Sequence, residues 1–349
     1  MERTSLVELP RRHRPEVRKA HQGVARLLSH VRMWMLALVV ATVGGVLPAA
    51  VATPAAARAA VDTIPVGDNP LGVTVSPLGN RVYVANAGDD SVSVIGRPGN
   101  TVLATIPVGD SPAGVTVGGL GTRLYVTNQG SDSVSVISTL TNRVVTTIPV
   151  GGTPRGVAVG GLGTRLYVVN ADSDTVSVIS TLTNTVVATI PVGDTPAGAA
   201  TGRAGTRLYV TNASSDTVSV INTLTNTVIA TIPVGHNPLG VTVSRDGTRL
   251  YVGNLLGNSV SVINTITDTV VTTVPAADGP GAVTASPTEN RLYVVHGGAG
   301  TVTEIDSDTY AVIRTVPVGD SPGGVAVSPD GKSVYVTSQN DDTVTAIAT

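Results

Sequence analysis

Beyond residue 30 the chain carries only two histidines, His236 and His296. Imidazole is the side chain best suited to proton transfer and to metal or haem ligation near neutral pH. Each stands where a recurring pattern is broken. His236 interrupts a series of mostly aspartate positions, Asp68, Asp110, Gly152, Asp194, Asp278 and Asp320, and His296 replaces the asparagine found at Asn86, Asn128, Asn170, Asn212 and Asn254. His296 with Asp278 is therefore a candidate metal pair, and His236 with His296 are candidate cofactor ligands, either of them a possible general base. The competing reading is drift in single copies, because no HExxH spacing, phosphate-binding glycine loop or nucleophilic triad accompanies them. No catalytic residue is assigned on this basis, and no cofactor is predicted.

Charged side chains recur more regularly. A second acidic series runs Asp90, Asp132, Asp174, Asp216, Asn258, Gly300, Asp342. Two rings of carboxylates could hold cations or a cationic partner, but Asp and Asn ahead of Ser, Thr or Pro are also ordinary turn formers that accept hydrogen bonds from nearby backbone. Arginine recurs at Arg81, Arg123, Arg165, Arg207, Arg249 and Arg291, with Lys332 adjacent to the seventh position. Guanidinium groups set in a circle could hold a polyanion such as teichoic acid, single-stranded DNA or an anionic polysaccharide. Against this, Asp246, Asp268, Glu289 and Asp330 fall on the same side, and aromatic residues for base stacking are missing; solvated strand-end charges are the alternative.

All these series share one period, and the elements that carry them follow from it. The Ile-Pro-Val-Gly motif begins at Ile64, Ile106, Ile148, Ile190 and Ile232, with Val274 and Val316 in the last two copies, a spacing of 42 residues without a slip. Tyrosine keeps the same register from Tyr83 to Tyr335. Within one unit the β-branched, alternating runs Gly114 to Val117, Arg123 to Thr127, Ser133 to Ile137 and Arg143 to Val150 read as four strands bounded by turn residues. Pro149 near the end of the fourth run requires that strand to lie at a sheet edge. Repeated four-stranded meanders of this length are propeller blades. The seventh unit stops after its third strand, and an unmatched fourth strand stands at about residues 60–66. The expected fold is thus an all-β, seven-bladed propeller of antiparallel blades, its ring closed when that N-terminal strand completes the last blade. One tyrosine per blade is expected to pack in the core with its hydroxyl at a polar edge.

The segment before the repeats has a different character. Residues 1–32 hold eight Arg or Lys and three Glu, and Met33 to Leu47 is uncharged and mainly apolar, followed by small residues with Ala-x-Ala sites at 50–52 and 55–57. That order is the one of a secretory signal; an uncleaved anchor is the rival reading. Arg11-Arg12 lacks the apolar flank of a twin-arginine signal and reads as ordinary basic leader. The division is leader with signal peptide or membrane anchor at 1–52, an Ala-rich linker at 53–59, and the propeller at 60–349. Both readings export the chain, to the periplasm, the cell surface or the medium. Absence of cysteine excludes disulfides, thiolate metal sites, a cysteine nucleophile and a lipoprotein anchor. After residue 32 the chain holds fourteen basic and twenty-one acidic residues, which with the lack of stacking aromatics disfavours nucleic acid as partner.

Tyr-Val-Thr-Asn at 125–128 and 209–212, followed by Ser-Val-Ser-Val-Ile and Ile-Pro-Val-Gly, resembles the YVTN β-propeller repeat family of exported bacterial and archaeal proteins. The resemblance covers about residues 60–349. It implies this fold and export, with surface-layer, cell-envelope and periplasmic propellers and relatives of haem d1-binding propellers among similar proteins, and it implies no reaction. The function expected is a non-catalytic interaction or scaffold protein of the cell envelope or exterior, its partner a protein or polysaccharide and its only membrane contact the N-terminal segment if retained. Two alternatives stand beside it: a propeller enzyme or metal or haem binder with a site at the mouth near blades five and six, and polyanion binding on the arginine side. Blade six departs most from the repeat, with Val274-Pro-Ala-Ala277, His296, Gly300, Glu304, Asp306, Asp308 and Tyr310.

Overall fold

The computed structural model describes residues 61–349 apart from positions 119, 161 and 162. The leader and the linker expected at 1–52 and 53–59 lie outside the described residues. Twenty-eight strands, β1 to β28, form seven four-stranded antiparallel sheets. In blade two these are β6 (Pro112–Val117), β7 (Arg123–Asn128), β8 (Ser133–Ser138) and β9 (Arg143–Pro149), in that spatial order. Pro149 ends the outermost strand, as its missing N–H demands. The last sheet runs β1 (Val61–Pro65), β28 (Thr343–Ala348), β27 (Ser333–Ser338), β26 (Pro322–Val327), so the N-terminal strand supplies the fourth strand of blade seven and closes the ring.

The core lies between blades. Tyr83, Val92, Val94 and Ile106 of blade one pack against Leu124, Val126 and Ile137 of blade two, and this cluster recurs around the ring. In the third strand of blade two both the serines, Ser133 and Ser135, and the valines, Val134 and Val136, are buried, because each face meets a neighbouring sheet. Full burial of one Val or Ile is worth about 1.5–3 kcal/mol, and the same set repeats in every interface. The tyrosines are buried as expected; the hydroxyl of Tyr251 donates to Ser307 O at 3.4 Å and that of Tyr335 to Asn100 Oδ1 at 3.3 Å.

Near the axis the inner strands approach so closely that a side chain does not fit. A Cβ built on Gly156 would lie 2.5 Å from Ala197 O, and one on Gly240 would lie 2.5 Å from Gly281 O, each in the following blade. Gly72, Gly114, Gly198 and Gly324 meet the next backbone in the same way. Where the second strand carries threonine, the hydroxyl ties this contact: Thr127 Oγ1 accepts from Gly114 N at 2.8 Å and donates to Arg155 O at 2.7 Å. Thr337 does the same for the closing pair, donating to Leu71 O at 2.8 Å. In blade six alone the glycine is replaced, by Ala282, and the inner strands of blades six and seven lie less closely together than any other neighbouring pair.

Gly198→Ala should therefore lower stability by about 1–3 kcal/mol through overpacking against the next backbone, whereas Ala282→Gly should change it by less than about 1 kcal/mol. Chemical-denaturation midpoints test this, and equal effects of the two changes would refute a packing constraint at the axis.

Candidate functional site

The two ends of the ring differ in chemistry. At one end lie the linkers between blades and the turns joining second to third strands. Here the aspartates of the second acidic series act as latches. Asp90 Oδ1 accepts from Ser111 N at 2.7 Å, Asp132 Oδ1 from Thr153 N at 2.8 Å, Asp216 Oδ1 from Asn237 N at 2.8 Å, and Asp342 Oδ1 from Asn69 N at 2.9 Å across the closure. Donor and acceptor residues both adopt positive φ, 51° at Asp90 and at Thr153, which Asp and Asn tolerate better than most residues and threonine poorly. The hydrogen bond holds that geometry, so the repeated acids are structural at this position. Gly300 cannot form the latch, which is a further difference at the junction of blades six and seven.

The two histidines are not brought onto a common partner. His236 is exposed and its Nδ1 contacts Asp216 Oδ2 at 2.9 Å; Asp216 is held below the usual carboxylate range first by the Asn237 N–H and then by His236. His296 is buried, with Nδ1 at 2.6 Å from Ala277 O and Nε2 at 2.9 Å from Thr303 Oγ1. It takes the place of an asparagine such as Asn128, whose Nδ2 donates to Ser133 and Ser135 Oγ at 3.0 Å. In other blades the motif glycine packs on that asparagine: a Cβ on Gly235 would lie 2.5 Å from Asn254 Nδ2. Ala277 and His296 are thus a paired replacement of Gly and Asn. Burial pushes the His296 pKa down, opposed by the Ala277 carbonyl and by Asp278. No group of three or more His, Asp or Glu suited to a metal ion occurs among the described residues.

The opposite end gathers the arginines. Among the described basic residues only Arg155, on the inner strand Pro154–Val159 of blade three, lies away from it. Arg207 is paired with Asp268 at 2.6 Å. Arg291 lies 3.1 Å from Glu304, whose other oxygen accepts from Arg314 Nε at 2.5 Å. Glu304 is buried where the other blades carry Val or Ala, and Arg314 replaces Ala or Thr on the outer strand, so blade six exchanges an apolar pair for an ion pair.

A cleft of about 510 Å³ opens beside this group, between the arginine-bearing ends of blades five and six. Arg249 and Arg291, first residues of their second strands, stand in it with Arg203 and Arg245 from the inner turns of blades four and five, and Tyr251 and Tyr310 complete the walls. Arg203 donates to Arg245 O, and Arg245 Nη1 donates to Thr288 O at 2.8 Å, so the two turns are fastened in series. Asp246 is saturated by Ser244 and Thr248, whose hydrogen bonds lower its pKa to about 2. Burial pushes the Tyr251 hydroxyl up to about 12, so it stays a neutral donor. Arg249 has no carboxylate partner among the described residues. Tyr310 holds a left-handed backbone, φ 60°, where other blades have Asn or Asp. The arrangement offers one free guanidinium, with Tyr310 on the same wall, which suits a carboxylate, sulfate or phosphate group. Arg203 and Arg245 break the period, appearing in two inner turns alone, and that was their only signal in the sequence.

The fold is that of a seven-bladed β-propeller, with this cleft between the arginine-bearing ends of blades five and six. The sequence profile of the YNCE-like beta-propeller matches residues 241–331, and that of the lactonase, 7-bladed beta-propeller, matches residues 99–190. No curated protein matches the chain at significant similarity. Among solved structures, hydrazine synthase of Kuenenia stuttgartiensis superposes with a TM-score of 0.76 at 24% identity, over 80% of this chain and 96% of its own. A streptogramin B lyase gives 0.73 at 18% identity, covering 83% and 97%. Virginiamycin B lyase from Staphylococcus aureus gives 0.73 at 15%, covering 84% and 100%. These likenesses are of fold.

A histidine kept neutral by burial contributes stability that is fully present above its ordinary pKa, about 6.5, and is lost as pH falls through the lowered folded value. The parent should therefore lose stability on acidification over this range, and the double variant Ala277→Gly/His296→Asn should lose less while folding normally. Thermal melts between pH 7.5 and 5 check this; identical pH profiles would contradict a packing role.

Proposed function

We propose that this chain is an exported, non-catalytic interaction propeller of the cell envelope or exterior, and that it holds an anionic macromolecule at its arginine-bearing end. The observation that carries the reading is Arg249, unpaired in the cleft between blades five and six while its neighbours Arg245 and Arg291 are engaged. An unpaired guanidinium at the wall of a concave site is a ready anion receptor, and charge-assisted bonds to it are worth about 1.5–3 kcal/mol. The partner suited to it is an acidic polysaccharide or another polymer with carboxylate or phosphate groups. Export rests on the basic, apolar and small-residue order of the N-terminal segment.

The lactonase profile over residues 99–190 favours a second reading, in which the propeller hydrolyses a lactone. Lactone turnover by the purified protein, lost on Arg249→Ala or His296→Ala, would replace the first reading with the second.

The direct test is binding of a polyuronate and of a polyphosphate across a salt series. Affinity should fall steeply with salt, and Arg249→Ala should weaken it about tenfold or more. No binding, or binding indifferent to both salt and Arg249, would overturn the proposal.

A further inference from the structure

The arginine-bearing end has a second feature, away from the cleft. The turns joining third to fourth strands in blades two to five carry Leu140, Leu182, Leu224 and Ile266, which are 90, 89, 80 and 75% exposed. In blades one and two the inner turns at the same end add Leu78 and Leu120, 87 and 90% exposed. Side chains of this size left almost wholly in water at several adjacent turn tips form an apolar set without a partner among the described residues.

Geometry limits what can cover it. Leu140, Leu182, Leu224 and Ile266 occupy equivalent positions of a 42-residue repeat, so they stand at the same height along the axis and together mark a plane. A groove or a single peptide would meet one or two of them; a flat surface meets all four. Charge identifies the surface. Arg81, Arg123, Arg143 and Arg165 lie at this end of blades one to three and form no ion pair among the described residues. The acids at this end, such as Asp246, Asp268, Glu289, Asp308 and Asp330, belong to blades five to seven, and blades one to four contribute none. Val61, the first residue of β1, is also at this end, since β1 runs antiparallel to β28 as the other fourth strands run to their third strands.

We propose that the arginine-bearing ends of blades one to four, with the Ile266 tip of blade five at their margin, dock flat on an anionic lipid bilayer, the leucines entering the headgroup layer and the arginines pairing with lipid phosphates. Apolar tips combined with basic side chains are the two contributions that hold a soluble surface on such a membrane. The proposal does not depend on the cleft, which is built from blades four to six.

The chain has no cysteine, so a single environment-sensitive dye can be placed at Leu182→Cys, and separately at Asp194→Cys on the opposite end. With the full chain and vesicles containing phosphatidylglycerol and bromine-labelled lipid, the dye at position 182 should be quenched and the one at 194 should not. Vesicles of phosphatidylcholine alone should give weak quenching. Changing Arg81, Arg123 and Arg165 together to Gln should reduce partitioning on the order of a hundredfold, about fivefold for each guanidinium. Quenching at both positions or at neither would overturn docking by this face, even if the N-terminal segment carries the protein to the vesicle. Arg249→Ala should leave the quenching unchanged; its loss in that variant would assign lipid binding to the cleft and refute the docking face.

Discussion

The contact on which the ring depends is that of one inner strand with the next, where a glycine lies against a backbone carbonyl of the following blade. Gly156 against Ala197 O and Gly240 against Gly281 O leave no room for a β-carbon. Such an approach fixes the spacing of the blades near the axis, and the blade faces then have to be filled by side chains of nearly constant volume. Valine, isoleucine, serine and one tyrosine per blade meet that need, which is why a chain without phenylalanine can still fill a core at each blade interface. The latches from Asp90 to Asp342 and the clasps of Thr127, Thr211 and Thr337 reinforce the inner-strand contact, each joining a blade to the next.

Because blade faces and inner strands are committed to this packing, chemistry specific to the protein is displaced to the two ends. There the charges separate: turn-forming aspartates at one end, nearly every arginine at the other. Net charge conceals this. An acidic propeller presents a basic, leucine-tipped surface across blades one to four, and repulsion expected from the overall charge does not describe that face. The junction of blades six and seven is where the constraint relaxes. Ala282 replaces the axial glycine and Gly300 the latch, while Glu304 brings Arg291 and Arg314 together in the same blade.

Fold was legible in the sequence because packing between identical wedges imposes one period on many positions at once. The seven motifs, the proline at the edge strand and the unmatched N-terminal strand all reappear in the sheet order. Site chemistry was legible only in part. His236 and His296 stood out as rare residues, yet His296 substitutes for an asparagine in a hydrogen-bonded corner, and rarity alone could not reveal that Ala277 had changed with it. The arginine ring was visible as a series, but pairing separates its members: Arg207 is neutralised by Asp268, which is 61 residues away, and Arg249 is not. Leu140 and Leu182 were hidden for the opposite reason, since a leucine repeated in register reads as core until its turn is seen to project into water.

The arginine-bearing end is the face proposed to meet a partner. Covalent footprinting of arginines and carboxylates, residue by residue, with and without anionic vesicles or a polyuronate, addresses this directly. Protection is predicted at Arg81, Arg123 and Arg165 with vesicles and at Arg249 with the polymer, while Asp68, Asp110 and Asp194 keep their reactivity. Protection of those aspartates, with the arginines unchanged, would contradict it.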